Sequence, residues 1–210
     1  MKAHTKETQA TMTPQKALDF LKEGNERFQQ NLKANRNLLE QVNDTKEGQF
    51  PFATILSCID SRVSAELVFD QGLGDIFSVR IAGNFVNEDI LGSMEFGSKL
   101  AGTKLIVVLG HTSCGAIKGA CDHVKMGNLT KLIEKITPAV DAVKEPQDDS
   151  KRNSANNEFV DAVAVQNVKM TIDNIRKESE ILKQMEDNKE ILIVGGMYDI
   201  NDGKVTFLED

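Results

Sequence analysis

At 210 residues the chain can bury one full core but is short for two domains. A formal net charge of −7 argues against a nucleic-acid partner or an anionic membrane surface, and no apolar run approaches the ~18 residues of a membrane span. The opening MKAHTKETQATMT has no apolar stretch of the signal-peptide kind, so a cytoplasmic address is expected.

Residues 1–12 read as a flexible tail carrying His4, and 13–210 as a single domain with an N-terminal helical arm. Thr13-Pro14 is an N-cap followed by a first helical residue, and Ala17, Leu18, Leu21 and Phe28 form one stripe of that helix. Residues 31–48 are polar and read as a surface meander. Phe52 to Cys58 is an apolar run of strand type, followed by Cys58-Ile59-Asp60-Ser61-Arg62 and a helical pattern over Val63, Leu67 and Val68. A Gly72–Asp75 turn leads into a strand from Ile76 to Ala82, in which Arg80 needs a partner if buried. Residues 87–100 are helical in pattern.

Leu105 to Leu109 is an unbroken apolar run, typical of a strand covered on both faces of a parallel sheet. Gly110 is expected to end it, with Thr112 and Ser113 capping a helix that starts near Cys114 and ends near Gly127. A helix over 128–143 contains Pro138, and 146–157 is a loop by composition. One long amphipathic helix is expected over 158–187, then a buried strand over 190–197 and an edge strand over 203–208 after the Asn201-Asp202-Gly203 turn. Strands alternating with helices indicate an α/β domain with a mainly parallel sheet.

The two elbows carry the chemistry. In an open parallel sheet the carboxyl ends of the strands share one edge, where ligands bind. If the two strands are neighbours, Cys58, His111 and Cys114 converge there as a Cys2His donor set with one position open, the layout of a catalytic zinc site. A thiol in the first turn of a helix is also biased toward thiolate. Cys121, two helical turns past Cys114, lies too far along to join the same metal, and His123 reads as a helix C-terminal residue.

CIDSR at 58–62 followed by GHTSCGAIKG at 110–119 resembles the β-class carbonic anhydrase signature. The likeness extends to Gly48-Gln49-x-Pro51, to Asp75–Arg80 with Gly83-Asn84, and to Gly195-Gly196-Met197-Tyr198 with Asp202-Gly203. The resemblance implies a four-stranded mainly parallel sheet with an antiparallel edge strand and flanking helices, built as a homodimer or higher oligomer. It implies one Zn2+ per chain on Cys58, His111 and Cys114, and carbon dioxide and bicarbonate as small-molecule substrates. The implied activity is reversible hydration by attack of zinc-bound hydroxide. Two alternatives stand beside it: hydrolysis of carbonyl sulfide or carbon disulfide on the same scaffold, and a non-catalytic zinc or thiol sensor.

Asp60 is expected to orient the nucleophile, or to become a fourth zinc ligand in a closed state, with Arg62 holding it through a forked pair. Read without the metal motif, Asp60 is better taken as a helix N-cap and Arg62 as a solvated surface cation. The resemblance also implies Gln49 as a donor to bicarbonate and Phe77 as an apolar wall. Some family members carry an inhibitory bicarbonate site of Trp, Arg and Tyr; Arg80 and Tyr198 match, but Ile55 stands where the Trp would be.

Overall fold

The computed structural model describes residues 2–209. Its elements in chain order are α1 (Lys6–Ala10), α2 (Pro14–Gln29), α3 (Leu38–Thr45), β1 (Ala53–Ser57), α4 (Ala65–Val68), β2 (Ile76–Arg80) and α5 (Glu88–Glu95). They continue with β3 (Leu105–His111), α6 (Gly115–Cys121), α7 (Gly127–Ala142), α8 (Asn157–Glu178), α9 (Glu180–Asp187), β4 (Leu192–Tyr198) and β5 (Val205–Phe207). A π-helical turn, Phe96–Leu100, extends α5, and a 3₁₀ turn spans Asp149–Lys151.

The strand order is β2-β1-β3-β4-β5. The first four run parallel, and β5 is antiparallel to β4, as expected. Every residue of β1 and β3 is buried, because helices cover both faces. The alternation of side chains divides the core in two. On one face Leu56, Ile106, Val108 and Ile193 pack against α5 to α9; on the other Ala53, Ile55, Leu105, Val107 and Leu109 pack against α2 and α4.

Several local readings change; among them, the helix after Cys114 ends at Cys121 rather than near Gly127. Residues 2–12 are placed against the core: Thr5 and Thr8 form a capping box on α1, and the Gln9 side chain donates to the carbonyls of Pro51 and Ala101, at 2.7 and 2.8 Å. His4 accordingly lies against Phe20 and Phe52. The polar stretch 31–48 contains α3, capped by Asn37. Gly110 does not end β3; it continues the ladder opposite Met197, and a Cβ there would come within 2.7 Å of Val168 and of Met197 Sδ. The long C-terminal helix is broken at Ser179, whose extended backbone ends α8 and whose side chain accepts from Leu182 N–H to start α9.

Candidate metal centre

β1 and β3 are hydrogen-bonded neighbours, so Cys58 just beyond β1 and His111 at the end of β3 emerge at the same sheet edge. The turn after His111 is held by side chains it meets in space. Thr112 does not cap α6; its N–H donates to the Tyr198 carbonyl at 3.0 Å, and its hydroxyl donates to Asp199 and accepts from Ile200 N–H. Ser113 takes a left-handed φ of 53°, and its N–H donates to Asp161 Oδ1 at 2.9 Å. Cys114 becomes the N-cap of α6 without spending its side chain on the cap, which leaves the sulfur free to face Cys58.

The donor atoms of Cys58, His111 and Cys114 all lie within 4.8 Å of one another, and all three residues are buried. The two sulfurs are 3.8 Å apart, far beyond the ~2.05 Å of a disulfide. His111 Nδ1 lies 2.9 Å from the Thr112 carbonyl, so the ring proton belongs on Nδ1 and the Nε2 lone pair is left bare. That Nε2 is buried and has no hydrogen-bond partner. An orphaned imidazole nitrogen facing two sulfurs is what a soft divalent ion would satisfy.

The two thiols share one hydrogen bond. That bond draws the Cys58 thiol well below its ordinary value, with His111 and the Gly83 N–H pulling the same way against burial. The same shared bond, reinforced by burial, pushes Cys114 far up. The Gly83 N–H reaches Cys58 Sγ at 3.4 Å, and the Gly83 carbonyl accepts from Asn167 Nδ2 at 2.8 Å.

Beside the cluster, Arg62 grips Asp60 by a fork, Nε to Oδ1 at 2.9 Å and Nη2 to Oδ2 at 2.7 Å. This holds the Asp60 carboxyl well below the ordinary carboxylate range. Asp60 Oδ2 is 4.0 Å from His111 Nε2, so the carboxylate borders the donor set while occupied by Arg62. Arg80 finds its partners in the same loop, donating to the carbonyls of Cys58 at 3.0 Å and Asp60 at 2.8 Å. Ile55 is a fully buried residue of β1, and Tyr198 is buried on β4.

Gln49 and Phe77 do not join the cluster within one chain. Gln49 precedes β1 and lies with Thr45, Gly48 and Gly74, while Phe77 pairs with Thr54 near the start of β1. Both therefore sit toward the opposite end of the strands from Cys58. Cys121 lies in α6 apart from the donor set, its thiol pushed up to about 11 by burial. Asp161 and Asn167 went unread in the sequence. A buried Asn between Val163 and Val168, in an apolar stretch of helix, was the available signal for the second; Asp161 gave none.

The fold and donor set together define an α/β protein with a candidate metal centre at the carboxyl edge of a mainly parallel sheet. The carbonic anhydrase family model matches residues 53–205. Carbonic anhydrase 2 of Mycobacterium tuberculosis is 34% identical over 197 residues, covering 91% of each chain. The structure of the β-carbonic anhydrase CcaA superposes with a TM-score of 0.72 at 23% identity, covering 91% of this chain and 95% of that one. One of two tetrameric β-carbonic anhydrases from Sordaria macrospora gives 0.68 at 22% identity, covering 79% and 84%. The chain belongs to the carbonic anhydrase family, and its fold is that of the β-class enzymes. Among the described residues no helix is long and apolar enough to cross a membrane.

Proposed function

We propose that the protein catalyses reversible hydration of carbon dioxide to bicarbonate and a proton, with one zinc ion per chain held by Cys58, His111 and Cys114. The observation that carries this reading is the bare, buried Nε2 of His111 facing two sulfurs 3.8 Å apart. Zinc bound there supplies Lewis acidity, which makes water a usable nucleophile near neutral pH. The residues of the chain do the rest. Asp60, anionic because Arg62 holds it, accepts a hydrogen bond from the nucleophile and aims its lone pair at the carbon. Arg62 keeps that carboxylate from closing onto the donor set, and Arg80 fixes the backbone on either side of Ile59.

The remaining substrate contacts come from a second copy of the chain. β2 is an edge strand with one partner, and the half-buried Phe77 ring beside the exposed Phe96 leaves apolar surface there. A two-fold axis across this edge runs the second sheet antiparallel to the first. It thereby brings the second copy's Gln49 and Phe77 end toward this chain's Cys58 edge. Gln49 then donates to bicarbonate, and Phe77 walls an apolar pocket suited to carbon dioxide. The single domain of 13–210, with residues 1–12 as an appended segment, works in this reading as a cytoplasmic homodimer or higher oligomer.

Stopped-flow hydration of carbon dioxide on zinc-analysed protein, run beside hydrolysis of carbonyl sulfide and carbon disulfide, tests the activity. Fast hydration with negligible sulfide release is expected; the reverse order reassigns the substrate, and neither activity in zinc-loaded protein sinks the enzyme reading. Sedimentation tests the assembly: the active species should have at least twice the 23.2 kDa chain mass. A fully active monomer would show each site to be self-sufficient.

A further inference from the structure

We propose that α8 is the positioning element of the metal centre, acting through Asp161 on the His111–Cys114 elbow and through Asn167 on the peptide that donates to Cys58. The two residues lie six apart, about 9 Å along the helix axis, and each reaches a different ligand loop. The inference rests on the metal reading above.

Asp161 accepts the Ser113 N–H at 2.9 Å. Ser113 is a non-glycine residue at φ 53°, a conformation L-residues rarely adopt without help. It sits between two of the three donor residues, so a relaxed Ser113 would rotate Cys114 away from His111. A charge-assisted bond from a carboxylate anchored on another element holds the turn in its strained form. On the second loop, Asn167 is 3% exposed and donates to the Gly83 carbonyl at 2.8 Å. The N–H of Gly83 itself donates to Cys58 Sγ at 3.4 Å. Gly83 has φ 80°, so its carbonyl and N–H directions are set by a backbone that only the surroundings hold in place. Asn167 thus fixes the donor that tunes a ligand sulfur, as outer partners of metal ligands do elsewhere.

The remainder of α8 is apolar against β3 and β4: Val168 meets the strand backbone at Gly110 and Gly195, where a Cβ would come within 2.7 Å of its methyl groups. The helix is therefore seated rigidly on the strands whose ends carry the site. A purely structural α8 would need the apolar contacts; it would not need a carboxylate on Ser113.

The experiment compares Asp161→Ala, Asp161→Asn, the double variant Asp161→Ala/Ser113→Gly, and Asn167→Ala. Zinc affinity is measured by chelator competition, the thiolate-to-metal charge-transfer band on the cobalt(II) protein, and unfolding temperature on the metal-free protein. Asp161→Ala should weaken zinc binding roughly 10- to 100-fold. Asp161→Asn, which keeps an acceptor oxygen, should retain most of the affinity, and Ser113→Gly should recover part of the Asp161→Ala loss by relieving the left-handed turn. Asn167→Ala should shift the charge-transfer band because the hydrogen bond to Cys58 is no longer held. If Asp161→Ala and Asn167→Ala keep wild-type zinc affinity and an unmoved band while only the metal-free unfolding temperature falls, α8 merely packs and the proposal is overturned. Asp161 is only partly buried, so if Asn167→Ala fails to fold the Asp161 series alone decides. A wild-type protein that takes up no zinc would refute the metal reading instead, and the wild-type titration identifies that case.

Discussion

Replacing Gly83 by Ala perturbs the candidate site through two separable physical causes. The first is conformational: φ at Gly83 is 80°, and moving an L-residue there costs about 1–2 kcal/mol. The second is steric. A Cβ built on Gly83 would stand 2.4 Å from Ile136 Cδ1, and Ile136 is fully buried in the core, so relieving the overlap costs about 1–3 kcal/mol more. Together they amount to about 2–5 kcal/mol, which for a chain of this size lowers the unfolding temperature by about 4–20 °C. Zinc affinity should fall as well, because the shifted peptide carries the N–H donor of Cys58. Ile136→Val separates the causes: it deletes Cδ1 at about 0.5–1.5 kcal/mol on its own. The Gly83→Ala/Ile136→Val double variant should therefore be more stable than the sum of the single losses, with the backbone part uncorrected. Calorimetric unfolding of the four zinc-loaded proteins completes the cycle. An unfolding temperature for Gly83→Ala within about 2 °C of wild type would refute the argument, and strict additivity would refute its steric half.

Arg62→Ala should keep its zinc and lose roughly 10- to 100-fold in hydration rate, since Asp60 loses the fork that holds it; metal analysis beside stopped-flow rates checks both halves. Wild-type activity should rise from about pH 6 to about pH 9, because Asp60, held well below the carboxylate range, stays anionic throughout and the titration belongs to the nucleophile. A flat profile would contradict that assignment. Asp70 stands between Arg27 and Arg36, each at 2.6 Å, so Asp70→Asn should cost about 3–5 kcal/mol by replacing the carboxylate that both guanidinium groups face with an uncharged amide. Burial opposes ionisation of Asp70, but the Arg27, Ala34 and Arg36 hydrogen bonds win and its folded pKa is lowered. Its contribution is therefore full above about pH 4 and lost as pH falls through the folded value, and urea midpoints of wild type and variant should converge only in acid.

The legible part of this protein was the part written in local patterns. Apolar runs before Cys58 and His111 announced two strands covered on both faces, and the alternation with helical patterns announced a parallel sheet. The strand order, and hence the convergence of the three donors, needed the paired motifs. What stayed hidden was decided by contacts distant in sequence. Gly110 looked like a strand end, yet it is the place where Val168 and Met197 come too close for a side chain. Thr112 and Ser113 looked like caps because Thr and Ser usually are, but Tyr198, Asp199, Ile200 and Asp161 claim their polar groups. Ser179 broke a pattern that hydrophobic spacing carries straight through, since an internal N-cap leaves the apolar stripe intact.

The measurement closest to the centre of the account is zinc content and carbon dioxide hydration rate on the same samples of wild type and Cys114→Ala. The wild-type protein should carry one zinc per chain and turn over rapidly, and the variant should lose both, because Cys58 and His111 alone leave the ion two protein donors. A Cys114→Ala protein with full zinc and full rate would contradict the assignment of Cys58, His111 and Cys114 as the metal centre.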